Sequence, residues 1–267
     1  MNWLVVARKD FADAVRSRML WSITAIFTVM IAGTVVLPQF IPETEPTAAM
    51  GLGIAAEFAG MLVPITALVA AYLAIAGERE SGSIKLLLGL PPSRGEVVVG
   101  KLVGRAGVVA LAVLASFAVA GVATAGLYGS LPVTEFLLVT GLTLFLGVTF
   151  VSVAIGISSA TSTRSRAMTF AVGVYLVVSL LWDLIPQGLY LALVGGFPTP
   201  PHPEWFLVIQ RLSPSSAYSA GVAASLIPEV ATGPAYLGLP FTLAVMTAWT
   251  LVPLALGYLW FRRADLS

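Results

Sequence analysis

Long stretches without charge decide the solvent of this chain. Met19 to Pro42 (24 residues), Phe58 to Gly77 (20), Ala106 to Pro132 (27), Phe136 to Thr163 (28) and Val230 to Phe261 (32) contain no Asp, Glu, Lys or Arg. About 20 consecutive apolar residues cross a bilayer core, so each run is long enough to span. A further run, Ala167 to Trp182 (16 residues), reaches that length by taking in Asp183 and ending near Pro186. The pattern predicts six transmembrane helices. With 10% charged residues, against roughly 25% in ordinary soluble domains, a water-soluble globule is excluded. Gln187 to Pro240 holds eight prolines and reads as structured sequence that does not span, since its most apolar piece, Trp205 to Ile209, is far too short.

The distribution of Lys and Arg sets the orientation, because positive residues near span ends stay on the cytoplasmic side. Six spans leave four segments on one side, carrying Arg8, Lys9, Arg16 and Arg18; Arg79, Lys85, Arg94, Lys101 and Arg105; Arg164 and Arg166; and Arg262 and Arg263. These are 13 of the 14 basic residues, with only Arg211 on the other side, where Glu43, Glu45, Glu57, Glu135, Glu204 and Glu229 collect. Both termini are therefore expected in the cytoplasm. The fold class is an all-α polytopic membrane protein: one transmembrane domain over residues 1–267, six spans, and an amphipathic interfacial helix ahead of them. Residues 187–239 form the external segment before the last span.

Residues 1–18 read as that interfacial helix rather than a cleavable signal, since the following apolar run exceeds a signal's short core and no small-x-small site closes it. Leu4, Ala7, Phe11, Ala14 and Val15 share one face at helical spacing, with Arg8, Lys9, Asp13 and Arg16 opposite.

Residues 77–105, GERESGSIKLLLGLPPSRGEVVVGKLVGR, concentrate eight charges in an otherwise apolar chain. Ser83 to Leu90 reads as a short helix with Ile84, Leu87 and Leu88 on one face, and Pro91-Pro92 cannot continue it. Ser93 with Glu96 three residues later is a capping box, in which the serine oxygen takes a free backbone N–H and the glutamate returns to the cap residue's own N–H. A new helix therefore starts there and runs into the third span. An exposed apolar stripe beside two membrane helices suits either a groove on a partner or the chain's own bundle and lipid surface.

The string E-R-E-x-G-S-x-K-x-L-L-x-L-P-x-S-R-x-E-x-x-x-G-K, present as Glu78-Arg79-Glu80, Gly82-Ser83, Lys85, Leu87-Leu88, Leu90-Pro91, Ser93-Arg94, Glu96 and Gly100-Lys101, resembles the loop between the second and third spans of ABC-2 type ABC transporter permeases. Within that family the chain is similar to the small prokaryotic permeases grouped with the nitrous-oxide-reductase maturation system. The resemblance implies a multi-pass subunit of a prokaryotic plasma membrane that pairs with a second copy and sits on a separate cytoplasmic ATPase. That ATPase would hold ATP and Mg, and this chain would bind no cofactor. The docking loop would comprise Glu78, Arg79, Glu80, Gly82, Ser83, Lys85, Leu87, Leu88, Leu90, Pro91, Ser93, Arg94, Glu96 and Lys101.

Other features are weaker. Gly95 to Leu102, GEVVVGKL, fits the first seven positions of the phosphate-binding pattern GxxxxGK[ST], but Leu102 stands where a Mg²⁺-binding hydroxyl is required, and the segment follows a capped helix start instead of a strand. Asp183 is the one carboxylate that a span must accommodate, which makes it a candidate pathway residue or an interfacial carboxylate reaching water. The single histidine, His202, and the absence of cysteine leave the methionines without companions for a soft-metal site. Gly100 and Gly104 allow another helix to approach closely. A net charge of +1 gives no footprint for nucleic acid. The reading is the permease subunit of an ATP-driven exporter without catalytic residues of its own. The alternative is an ATP-independent secondary transporter, which normally shows ionisable residues at mid-membrane. An intramembrane enzyme lacks both GxSxG and paired intramembrane carboxylates here.

Overall fold

The computed structural model describes residues 3–41, 45–84, 93–199, 201–227, 234, 236 and 238–264, and among these there is no strand. The apolar runs fold as helices because a backbone in hydrocarbon must satisfy its own N–H and C=O groups. In chain order these are α1 (Trp3–Val15), α2 (Arg18–Thr34), α3 (Ala48–Ala71), α4 (Ala76–Glu80), α5 (Arg94–Tyr128), α6 (Val133–Ala160), α7 (Arg164–Tyr175), α8 (Leu184–Val194), α9 (Glu204–Arg211), α10 (Pro214–Leu226) and α11 (Leu239–Arg263). A 3-10 turn, Leu37–Phe40, follows α2, and a π-helical turn, Leu176–Leu180, continues α7.

Four helices are long and apolar enough to cross a membrane: Ala48–Glu80, Arg94–Tyr128, Val133–Ala160 and Leu239–Arg263. A fifth candidate is the pair Arg164–Leu180 and Leu184–Val194, bent by 57°. The expected first span is represented by α2, whose apolar part Trp21–Thr34 is shorter than the roughly 20 residues of a full crossing. Its 17 residues correspond to about 26 Å of helix before the 3-10 turn at Pro38.

The fifth run departs from its expected boundary. Its helix does not end near Pro186: the π turn closes with Leu181 N–H donating to the Leu176 carbonyl at 2.8 Å, the chain bends, and α8 then takes Pro186 into its first turn and continues to Val194. Proline in a first helical turn loses no hydrogen bond, so it starts this helix where it was expected to stop one.

Local signals place several ends. Thr47 caps α3 by accepting from Met50 N–H at 3.2 Å. Ser93 and Glu96 form the expected capping box at the start of α5, with Ser93 N–H donating to Glu96 Oε2 at 2.9 Å. The same helix ends at Gly129, whose φ of 72° is open to glycine and closes the helix in the left-handed conformation.

The bundle is organised on α6, which packs against α3, α5, α10 and α11. Helix α6 crosses α11 at Gly156 and Gly257, where a Cβ on Gly156 would lie 2.4 Å from the Pro253 carbonyl oxygen and one on Gly257 2.2 Å from that of Gly156. The two backbones touch. Phe117, Phe150, Leu146, Met246 and Tyr218 fill the interior. Buried hydroxyls are matched across helices: Thr143 Oγ1 with Tyr218 Oη at 2.9 Å, and Ser152 Oγ donating to the Thr250 carbonyl at 2.6 Å. In hydrocarbon such groups need partners inside the protein.

Candidate functional site

The loop between α4 and α5 is the sequence's densest cluster of candidate residues, and its base is built from four chain segments. The turn between α3 and α4 leaves backbone donors free, and Ser158 of α6 takes two of them: Ile75 N–H and Ala76 N–H both donate to its Oγ at 2.9 Å. Arg79 then reaches the end of α6, with Nη1 donating to the carbonyls of Thr161 at 2.8 Å and Ser159 at 3.3 Å. A guanidinium suits this position because the last carbonyls of a helix lack intrahelical donors and carry partial negative charge. Glu80 performs the converse task, its Oε2 accepting from Arg164 N–H at the start of α7. Gly82 turns the chain at φ 74°, and Ser83 shares a 2.9 Å hydroxyl contact with Ser81.

Beyond the loop, Arg94 ties the first turn of α5 to the end of α11. Its Nη1 donates to the carbonyls of Phe261 at 2.6 Å and Ala264 at 2.8 Å, and the guanidinium lies 5.5 Å from the Phe261 ring centroid. Lys85, Leu87, Leu88, Leu90 and Pro91 lie outside the described residues. Ile84, just ahead of them, is buried.

An ionic quartet, with Asp10 and Lys101 buried and Glu78 and Arg105 partly exposed, completes this end. Lys101 Nζ is 2.7 Å from Glu78 Oε1 and 3.5 Å from Asp10 Oδ1. Arg105 holds the same Asp10 with Nη2 at 3.0 Å from Oδ1 and Nε at 2.7 Å from Oδ2, and its Nη1 donates to the Ala70 carbonyl at 2.9 Å. Asp10 is 7% exposed and Lys101 4%. Two carboxylates and two cations cancel formally, which is how buried charge is tolerated away from water.

Helix α1 packs on the bundle through Val6, Ala7, Asp10 and Ala14, its buried residues, while Leu4 and Phe11 of the apolar face stay 56% and 36% exposed, on the side an interfacial helix turns to lipid. The packing has two causes. Asp10 is drawn inward by Lys101 and Arg105, and glycines on α5 let α1 lie against its backbone. A Cβ on Gly100 would lie 2.6 Å from Val6 Cβ, and one on Gly104 2.9 Å from Asp10 Oδ2. The GxxxG pair is thus a bed for α1 within the same chain. Gly95 to Leu102 is continuous helix, with Lys101 committed to carboxylates rather than offered to a phosphate.

Asp10 was not singled out in the sequence, and its pairing with Arg105 across 95 positions had no local signal. One hint was available: Asp10 is spaced three residues from Ala7 and four from Ala14, a carboxylate on a face of small residues.

Asp183 lies at the opposite end. It is exposed, immediately precedes α8 and makes no capping bond. With Glu57, Arg211, Gln210, Ser179 and Ser219 it lines a cleft of about 340 Å³. Arg164 and Asp183 lie 19 residues apart along α7 and the π turn, roughly 28 Å at the helical rise. Burial lowers the pKa of the Arg211 guanidinium from its ordinary value, and the Asp183 charge acts the other way. Nearby, His202 stacks on Phe206 with centroids 4.7 Å apart, inside an aromatic cluster with Trp205 and Tyr190.

The structure therefore brings Glu78, Arg79, Glu80, Arg94, Lys101 and the Ser93–Glu96 box to one end of the bundle and leaves Asp183 at the other. A family model described as ABC-2 family transporter protein matches residues 4–266. The Probable ABC transporter permease protein NosY of Pseudomonas aeruginosa is 30% identical over 272 residues, and that of Stutzerimonas stutzeri 33% identical over 274, each covering 97% of this chain and 97% of the relative. The family expected from the loop motif is the one found, and the long apolar helices agree with a multi-pass membrane protein. This chain belongs to the ABC-2 family of transporter proteins, as a membrane-spanning permease subunit.

Proposed function

We propose that this chain is the membrane subunit of an ATP-driven exporter in a prokaryotic plasma membrane, worked by a separate cytoplasmic ATPase that seats on the helix over residues 83–90. ATP and Mg belong to that partner, this chain binds no cofactor, and two copies of the permease form the transport unit. The reading takes α2 with its following turn as the first of six spans and the bent pair of α7 and α8 as the fifth, with both termini cytoplasmic.

One observation carries it: the four basic segments that the distribution of Lys and Arg assigns to one side also meet in space. Asp10 pairs with Arg105, Arg79 holds the Thr161 carbonyl, Glu80 accepts from Arg164, and Arg94 holds the Ala264 carbonyl. The loop is fixed at both ends to elements that run through the bundle. A partner that binds two arrangements of the loop unequally can therefore shift the bundle between them, the only way in which binding does such work.

The test is co-purification of the tagged chain with the cassette ATPase encoded beside it, for wild type and Leu87→Asp. Stoichiometric recovery in wild type and its loss in the variant, with membrane insertion unchanged, is the expected result. Full recovery in Leu87→Asp would move the docking site elsewhere. Substrate movement in vesicles lacking any ATPase would replace the reading with an ATP-independent transporter.

A further inference from the structure

The cleft at the far end combines features that the loop does not explain. Glu57 comes from α3, Ser179 from the π turn, Asp183 from the bend after it, Arg211 from the last residue of α9, and Ser215 and Ser219 from the first turns of α10. Three stretches of the chain, 57–61, 175–183 and 210–219, thus converge on one opening of about 340 Å³, a size within the range of small-molecule sites. The π turn closes α7, and the 57° bend that follows it sets Asp183 beside Ser179 at the rim of the cleft.

The ionisable groups here are unmatched. Arg211 Nε is buried without a hydrogen-bond partner, and among the described residues neither Arg211 nor Asp183 makes an ion pair. Glu57 has only a 3.5 Å contact from Ser219 Oγ. At the opposite end, by contrast, Asp10, Glu78, Lys101 and Arg105 are joined to one another by ion pairs. Two carboxylates and one guanidinium give the cleft a formal charge of −1. A simple anion would meet that excess, and a simple cation would leave the guanidinium unanswered. A molecule carrying both signs on a short frame answers both, with the serine hydroxyls as neutral donors for further oxygens.

We propose that this cleft binds a phosphate ester bearing a primary amine on a short chain, its phosphate held by Arg211 and serine hydroxyls and its ammonium by Asp183 and Glu57. The same chemistry is offered by an aminophospholipid headgroup and by its soluble counterpart. Arg211 suits the phosphate because a planar guanidinium fork engages two oxygens at once. The apolar walls at Met61 and Leu180 suit the hydrocarbon end of a ligand entering from the bilayer. The proposal rests on the reading of the chain as a transport subunit with this cleft at the outer face.

The experiment measures binding of phosphoethanolamine, inorganic phosphate and ethanolamine to the purified full-length chain in detergent, with no ATPase present. Phosphoethanolamine is expected to bind at least roughly tenfold more tightly than either fragment, with Arg211→Gln and Asp183→Asn each losing about tenfold or more and Arg211→Lys falling between. Asp183→Asn alters an exposed side chain and keeps the test available if the arginine variants fail to fold. Equal affinity for phosphate and phosphoethanolamine, no binding of phosphoethanolamine, or wild-type affinity in Asp183→Asn overturns the proposal. Repeating the titration in nanodiscs of phosphatidylethanolamine and of phosphatidylglycerol separates the sources. Binding suppressed only by phosphatidylethanolamine identifies the lipid headgroup, and undiminished binding in both identifies the soluble solute. Because no ATPase enters the assay, its failure and the failure of the coupled exporter reading are independent.

Discussion

The two ends of this bundle treat charge in opposite ways. At the basic end Asp10, Glu78, Lys101 and Arg105 answer one another, while Arg79 and Arg94 close the exposed carbonyls of α6 and α11. At the far end Glu57, Asp183 and Arg211 line one cleft without an ion pair among them, beside a helix interrupted by a π turn and a 57° bend. Saturated networks fix geometry, because moving any member strands a desolvated charge. Unsaturated groups keep their interaction energy for something outside the chain. The contrast is what the two proposals use: displacement conducted at the basic end, a ligand received at the far one.

The strongest way to break the contrast is to neutralise one carboxylate at each end. Asp10→Asn takes from Arg105 the buried carboxylate it holds, while Lys101 keeps Glu78, and is expected to cost about 3 kcal/mol, the lower end for a broken buried pair. Asp183→Asn, at an exposed position, should stay within roughly 0.5 kcal/mol of wild type. Thermal unfolding in one detergent compares them, and equal losses would mean that the far end is as structural as the basic one. A smaller effect is expected from Arg94→Gln, which removes charged donors from the carbonyls of Phe261 and Ala264 at a cost of about 1.5 to 3 kcal/mol. Its signature is local: hydrogen exchange should accelerate in the last turn of α11 and leave α3 unchanged. The smallest is Ser93→Ala, with about 1 kcal/mol lost through the N-cap, read as faster exchange in the first turn of α5.

What the sequence made legible follows the range of the interactions involved. The Ser93–Glu96 box spans three residues, and the structure reproduces it because its partners are neighbours on any chain that turns helical there. Four of the apolar runs are visible as full-length helices because their hydrophobicity outweighs any local detail. Position 186 was misread for a local reason: the same proline that cannot sit in a helix interior is welcome in a first turn, and the π turn that resets the register has no signature in composition. The burial of Asp10 was silent for a distant one. Its partners are the cations on α5, more than 90 positions away, and no periodicity within α1 points to them. The far cleft is assembled from three distant stretches, 57–61, 175–183 and 210–219, and no one of them carries a pattern that announces the others.

The ionic quartet has a consequence in electrical terms. A charge carried across a membrane works against the transmembrane potential by about 2.3 kcal/mol per 100 mV. Asp10, Glu78, Lys101 and Arg105 carry two charges of each sign and are bonded to one another, so the quartet itself can shift as a unit without transporting net charge. On the coupling role proposed for the loop, displacement of these four buried and half-buried groups adds no voltage-dependent cost of its own.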